Sequence, residues 1–379
     1  MSARARAGEV LAAFARLGCT SFGGPVAHLG YFRAEFVARR GWLSETAYAD
    51  IVALCQFLPG PASSQVAVSL GLLRAGLPGG FAAWLGFTAP SALALILFAY
   101  GISRVGALAQ AVWGMARNLC PDRERASLAV GAAVLALAVP SAAGQLGAIA
   151  IGGLIGWRVL PAPAVTPPAG RIGFALPRLV GPVALALFFA LLAVLPVAAA
   201  ASGWHGVALV DRFYRAGALV FGGGHVVLPL LQRAVVPPGW ISPTGFLAGY
   251  GAAQAVPGPL FTFAAYLGAS MRPGPSGWLG GVLCLGAIYL PSFLLLLGVL
   301  PYWDRLRSVA PVQAALRGVN AAVVGLLLAA LYTPVWTSAI TGPAAFAITL
   351  AAFLLLVAWR VPPWLVVGLG AVAGAALLG

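Results

Sequence analysis

Lysine is absent from this chain, and only 8 of its 379 residues are acidic. Charged residues of both signs make up 8% of it, against about 25% in soluble globular proteins, which excludes a soluble fold with an ionic surface. Alternating ten-residue strands are also missing, so a transmembrane β-barrel is not expected. The four cysteines, Cys19, Cys55, Cys120 and Cys284, show no CxxC spacing, and neither a disulfide framework nor a metal cluster is expected. No phosphate loop, HExxH or GxSxG is present, so the chain carries neither its own ATP drive nor a familiar hydrolytic motif. No cofactor is implied. Arg16 interrupts the first apolar stretch, so no cleavable leader is read there. The acids, Glu9, Glu35, Glu45, Asp50, Asp122, Glu124, Asp211 and Asp304, fall mostly near segment ends, and Asp50 alone reads as deep.

What is present is apolar. Hydrophobic residues make up 61% of the chain and the mean hydropathy is +0.97. Runs such as 179–201 and 277–300 have the length a bilayer-spanning helix needs. The fold class is therefore an all-α polytopic membrane protein, with about ten to twelve spanning or broken helices. Its net charge of +14 is carried by arginine alone, a composition in keeping with a GC-rich bacterial genome. The arginines are scattered through short loops, as cytoplasmic loops retain them. The lipid bilayer is thus the expected partner, and nucleic acid is not.

The sequence repeats itself. Phe22-Gly23-Gly24 returns as Phe221-Gly222-Gly223, and Gly41-Trp42-Leu43-Ser44 as Gly239-Trp240-Ile241-Ser242. Gln56-x-x-Pro59-Gly60-Pro61 returns as Gln254-x-x-Pro257-Gly258-Pro259, and Leu70-Gly71, Pro90-Ser91 and Asn118 return as Leu267-Gly268, Pro291-Ser292 and Asn320. The offset stays between 197 and 202 residues throughout, the register of a duplication. The expected organisation is a first repeat over 1–160, a Pro-rich linker over 161–178, and a second repeat with its lead-in helix over 179–379. Arg33, Arg39 and Arg40 follow the first FGG segment, whereas Arg233 alone follows the second. That difference favours inverted halves, although Arg305 and Arg307 outweigh Arg104 in the opposite sense.

Each half is interrupted twice, at FGG and at PGP. A broken helix at membrane depth needs partners in protein or in a watery cavity. Its new amino terminus offers free N–H groups and partial positive charge, which suit an anion. The candidate binding residues are accordingly Gly23, Gly24, Pro25, Pro59, Gly60 and Pro61, with Gly222, Gly223, Gly224, Pro257, Gly258 and Pro259. His28 and His225 flank the FGG breaks at non-equivalent positions, and Gln56 and Gln254 precede each PGP by one turn. Ser63, Ser64 and Thr262 follow it. Asn118 and Asn320, with Arg117 and Arg317 close to them, are lesser candidates. The alternative for any one of these residues is close helix packing or an interhelical bond.

"FGGPVAHLG", "GWLSE" and "QFLPGP", then "FGGGHVVLPLL", "GWIS" and "QAVPGP", resemble the chromate ion transporter (CHR) family in its long, two-domain form. The resemblance implies export of chromate across the bacterial inner membrane by oppositely oriented halves. It carries the family's motif glycines and prolines onto the twelve break residues named above. The second copy departs from the first, with Leu260-Phe261 where the first has Ala62-Ser63. Chromate is a dianion, and an inside-negative potential drives a dianion outward by roughly 4.6 kcal/mol per 100 mV, so export needs no coupling acid. Sulfate, of the same shape and charge, remains an alternative substrate, and a membrane-embedded enzyme or scaffold is the remote one. The oligomeric state is left open, a homodimer included.

Overall fold

The computed structural model describes residues 3–22, 24–101, 123–139, 142–160, 177, 179–220, 227–303 and 342–357, with scattered positions among 309–328 and 359–374. Most of the expected linker, 161–178, lies outside them, as do Gly23, Gly222, Gly223, Gly224, His225, Asn118, Asn320, Arg117 and Arg317. The described residues form thirteen α-helices and no strand. In chain order these are α1 (Ala3–Thr20), α2 (Gly24–Phe32), α3 (Glu45–Phe57), α4 (Ala62–Gly101), α5 (Arg123–Ala138), α6 (Ala142–Val159) and α7 (Val180–Ser202). They continue as α8 (His205–Ala218), α9 (Val227–Val235), α10 (Pro243–Ala255), α11 (Phe263–Ser270), α12 (Gly277–Val299) and α13 (Pro343–Val357). A π-helical segment, Arg33–Arg39, prolongs α2.

Among the described residues, Ala62–Tyr100, Val180–Ser202 and Gly277–Tyr302 are long and apolar enough to cross a membrane. Only 11% of the most apolar window of α7 is fully buried, so one face packs through Ala184 and Phe188 while the rest of this apolar helix is left uncovered. The chain is a multi-pass α-helical membrane protein.

The chain divides into two compact units that interleave along the sequence. One comprises 1–101, 166–227 and 256–305, and the other 102–165, 228–255 and 306–379. In the first unit α1 packs along α4, and α12 packs on α7, α8 and α11. Phe14, Phe32, Phe36 and Phe87 form one aromatic core, with Phe14 stacked on Phe36 at 4.7 Å. Ala184, Phe188, Tyr214, Ala218, Leu294 and Leu295 form another where α7, α8 and α12 meet.

The duplication is visible in this packing. Helix α4 turns back at Ala75 and Gly76, so it is a short helix folded against a long one, as α11 is against α12. A Cβ on Gly71 would lie 2.2 Å from the Gly79 carbonyl oxygen, and one on Gly268 would lie 2.1 Å from that of Gly280. Both hairpins therefore need glycine for backbone contact. The repeated Gly-Trp-x-Ser explains itself as a turn leading into a cap. Ser44 Oγ accepts from Ala47 N at 3.2 Å, and Ser242 Oγ from Gly245 N at 3.0 Å, each capping the helix that follows.

Candidate functional site

The first unit brings the PGP break of each half onto the residue that precedes the FGG of the other. Gly60 N donates to Val220 O at 2.6 Å, and Gly258 N donates to Ser21 O at 3.0 Å. Ser21 and Val220 occupy equivalent positions, as do Gly60 and Gly258, so the contacts are reciprocal in the way an approximate two-fold demands. The same exchange holds for packing. A Cβ on Gly60 would lie 2.5 Å from Ser292 Oγ, and one on Gly258 would lie 2.7 Å from Ser91 Oγ. Both glycines also adopt left-handed backbone, with φ of 123° and 103°, which a side chain strains. Glycine at 60 and 258 thus lets two breaks cross at backbone distance, and their amides are already taken by protein carbonyls.

The side chains around this crossing come mostly from the first half. His28, on α2, is buried, with Nε2 3.2 Å from Ser21 O and Nδ1 3.4 Å from Ser63 Oγ. A carbonyl can only accept, so in the neutral ring Nε2 carries the proton and the Ser63 hydroxyl donates to Nδ1. His28 therefore clamps the first break, its two nitrogens both engaged. Gln65 Nε2 donates to Pro59 O at 2.8 Å, closing the turn before α4. Ser64 Oγ lies 3.4 Å from the Tyr289 hydroxyl, which ties α4 to α12. In the second half Thr262 Oγ1 donates to Pro259 O at 2.7 Å.

Ser21 Oγ, Gln65 Oε1 and Ser292 Oγ, with Trp84 Nε1 beside them, are buried without a hydrogen-bond partner among the described residues. A buried hydroxyl without a partner is uncommon and points to a ligand or ordered water. Beside them, Tyr289 joins Trp84, Phe261 and Phe293 in an aromatic wall, with ring centroids 5.7 to 5.8 Å apart. The arrangement offers hydroxyl donors, the amino-terminal turn of α4, and an apolar wall. Those are the parts needed to hold a small oxyanion away from water.

Of the residues singled out from the sequence, Pro59, Gly60, Pro61, Ser63, Ser64, His28, Gly258, Pro259 and Thr262 belong to this unit and surround the crossing. Gly24 begins α2 with φ of 74° and open space where a Cβ would project. Pro25 lies in α2, and Pro257 immediately precedes the crossing glycine. Gln56 is exposed rather than turned into the crossing. Gln254 belongs to the other unit, where its Nε2 donates to Tyr250 OH at 2.8 Å. Among the described acids the fully buried one is Asp211, at 3% exposure, whereas Asp50 is half-buried.

Ser21, Gln65, Ser91 and Ser292 were not among the site candidates. Pro90-Ser91 and Pro291-Ser292 did repeat in register, so a duplicated hydroxyl was a usable signal. Gln65 has Phe263 as its equivalent in the second repeat, and only the three-dimensional crossing picks it out.

The family described as Chromate transporter matches the chain over residues 8–157 and 207–375, one region in each half. The chain is similar to the chromate transport protein of Pseudomonas aeruginosa, 31% identical over 348 residues that cover 84% of this chain and 79% of the relative. It is similar also to the chromate transport protein of Cupriavidus metallidurans, 27% identical across 97% of this chain and 90% of the relative. A probable chromate transport protein of Synechococcus elongatus is 26% identical over 84% of this chain and 82% of the relative. No solved structure matches.

Proposed function

The chain belongs to the chromate transporter family, and from that premise we propose that it exports chromate across the bacterial inner membrane, holding the oxyanion beside the two crossed breaks. The observation that carries the site is the set of buried hydroxyls without partners, Ser21 Oγ and Ser292 Oγ, at backbone breaks joined reciprocally between the halves. Burying a dianion without compensation costs tens of kcal/mol. Hydroxyl donors and the partial positive charge at the start of α4 oppose that cost.

Membrane potential supplies the drive in this reading, because a dianion leaving the inside-negative compartment gains roughly 4.6 kcal/mol per 100 mV. No chemical change of the substrate is required, and the protein acts as a carrier rather than an enzyme. The two repeats, 1–160 and 179–379, lie inverted in the membrane, and the reciprocal contacts of the two breaks support an exchange of roles between halves. Sulfate presents the same tetrahedral dianion, so donors of this kind separate the two weakly.

The test is radiolabelled chromate flux in everted vesicles under an imposed potential, with and without excess sulfate. Ser292→Ala removes a hydroxyl that has no hydrogen-bond partner among the described residues, so its folding and insertion should be unchanged. Flux at least about tenfold lower in this variant is expected if the hydroxyl contributes one hydrogen bond to the anion. Inhibition by sulfate at concentrations equal to chromate would make the substrate class oxyanions in general. Flux no greater than in empty vesicles, from correctly inserted protein, would overturn the proposal.

A further inference from the structure

The helices that lead into the FGG breaks, α1 and α8, repeat more than the break itself. Phe14-x-Arg16-x-Gly18 in the first half is matched by Phe213-x-Arg215-x-Gly217 in the second, 199 residues on. The phenylalanines and glycines are packing residues: Phe14 and Phe213 are fully buried. A Cβ on Gly18 would lie 2.8 Å from Phe87 O, and one on Gly217 would lie 2.1 Å from Ile288 O. The arginine between them has no such explanation. Arg16 is exposed, and the Arg215 side chain is 44% exposed.

Their depth makes this costly. Helix α8 packs back along α7, where Tyr214 OH donates to Phe188 O at 2.9 Å, eight residues into the 23-residue apolar span. At 1.5 Å per residue the neighbouring Arg215 lies about 12 Å from one end of a hydrocarbon core of about 30 Å. Arg16 lies two residues before Gly18, which packs on Phe87 O about ten residues into the limb of α4 that follows the turn at Gly76, inside the apolar stretch Ala62–Tyr100. An arginine there is retained where it meets water, a counter-charge or a transported ion.

The two positions differ in their counter-charge. Arg215 pairs with Asp211 one turn earlier on α8, and Asp211 is buried with its Oδ1 unpartnered among the described residues. The equivalent of Asp211 on α1 is Ala12, and no carboxylate pairs with Arg16 among the described residues. The exposed face that carries Arg16 continues through Cys19 and Thr20 toward the break at Ser21.

Resting on the transport reading above, we propose that Arg16 and Arg215 are paired charge stations on the oxyanion's path, one leading to each break. Arg16 captures the free dianion. Arg215 holds it less tightly, because Asp211 competes for the same guanidinium, and the difference gives the path a loading end and a releasing end.

Cys19 reports on this directly, being exposed one turn from Arg16 while Cys55 and Cys284 are buried. The experiment compares labelling of Cys19 by an anionic and a cationic methanethiosulfonate in membranes holding the full chain, read by mass spectrometry of the peptide. The anionic reagent should react about tenfold faster, saturating sulfate should slow it, and Arg16→Gln should bring the two rates together. In vesicles, Arg16→Gln should lower chromate kcat/KM about tenfold or more, with Arg16→Lys retaining most of it, and Asp211→Asn should lower KM and kcat together.

A Cys19 inert to both reagents, or a rate ratio unmoved by Arg16→Gln, would overturn the proposal, whatever the flux. Charge-selective labelling that sulfate suppresses, in a protein without chromate flux, would instead retain the arginine stations and remove the chromate transport reading.

Discussion

The two breaks share a backbone and differ in chemistry. In each half a PGP glycine donates to the residue before the opposite FGG and lies against the serine that follows a helix proline. The side chains around that frame diverge. Ser21, His28, Ser63 and Gln65 in the first half stand where the second has Val220, Val227, Phe261 and Phe263. The crossing must satisfy buried amides and carbonyls twice, so its geometry is held in duplicate. The polar side chains gather in the first half, whereas Phe261 of the second joins the apolar wall beside Tyr289. A similar asymmetry appears at the surface. Glu9 pairs with Arg40 and Arg74, and both guanidinia lie over Trp42 at 5.6 and 5.1 Å. The second half has Ala208, Pro238 and Met271 at the corresponding positions, and keeps only Trp240.

The largest expected effect tests the shared frame. Gly60→Ala and Gly258→Ala each force a Cβ into left-handed backbone and against a serine hydroxyl. The strain is about 1–3 kcal/mol, with a similar amount for overpacking. Thermal unfolding in detergent should show nearly equal losses for the two, and a tolerated alanine on either side would break the equivalence. A smaller effect sharpens the difference. Ser63→Ala strands His28 Nδ1 without a donor, at about 1–3 kcal/mol, whereas Thr262→Val loses one ordinary bond to Pro259 O, at about 1 kcal/mol. Flux should fall further for the first, and a reversed order would move the polar lining to the second half.

Arg74→Ala removes one partner of a part-exposed network and should cost no more than about 1 kcal/mol by the same unfolding measurement. The smallest effect belongs to the exposed Arg33–Glu45 pair. The Arg33 guanidinium hydrogen-bonds the Glu45 carboxyl and holds it below its usual range. Stability from a depressed carboxyl is present above its unfolded pKa and fades as pH falls through the folded one. Arg33→Ala should therefore lose this small contribution at neutral pH and flatten the fall in stability on acidification. Flux at neutral pH should stay unchanged because the pair is exposed, and a loss of flux there would assign the loop a role beyond solvation.

The sequence's scarcity of charge and its apolar runs settle an α-helical membrane protein, since only helices close their own hydrogen bonds in lipid once a barrel is excluded. The in-register matches reveal the repeat, and the broken motifs mark where backbone polarity needs partners. The repeated Gly-Trp-x-Ser marked the register, and the structure made it a turn and helix cap.

Only the tertiary structure decided which partner each break takes. Gly60 and Val220, or Gly258 and Ser21, are far apart in the chain, and no periodicity links them. It likewise separated Gln56, exposed on α3, from Gln65, buried at the crossing, although both lie within six residues of Pro59–Gly60. Among the described acids it buried Asp211 and left Asp50 half-buried, because burial on an amphipathic helix depends on which face its neighbours cover. Local order follows from local chemistry, whereas a site made where two halves cross is a property of packing, and packing is read in three dimensions.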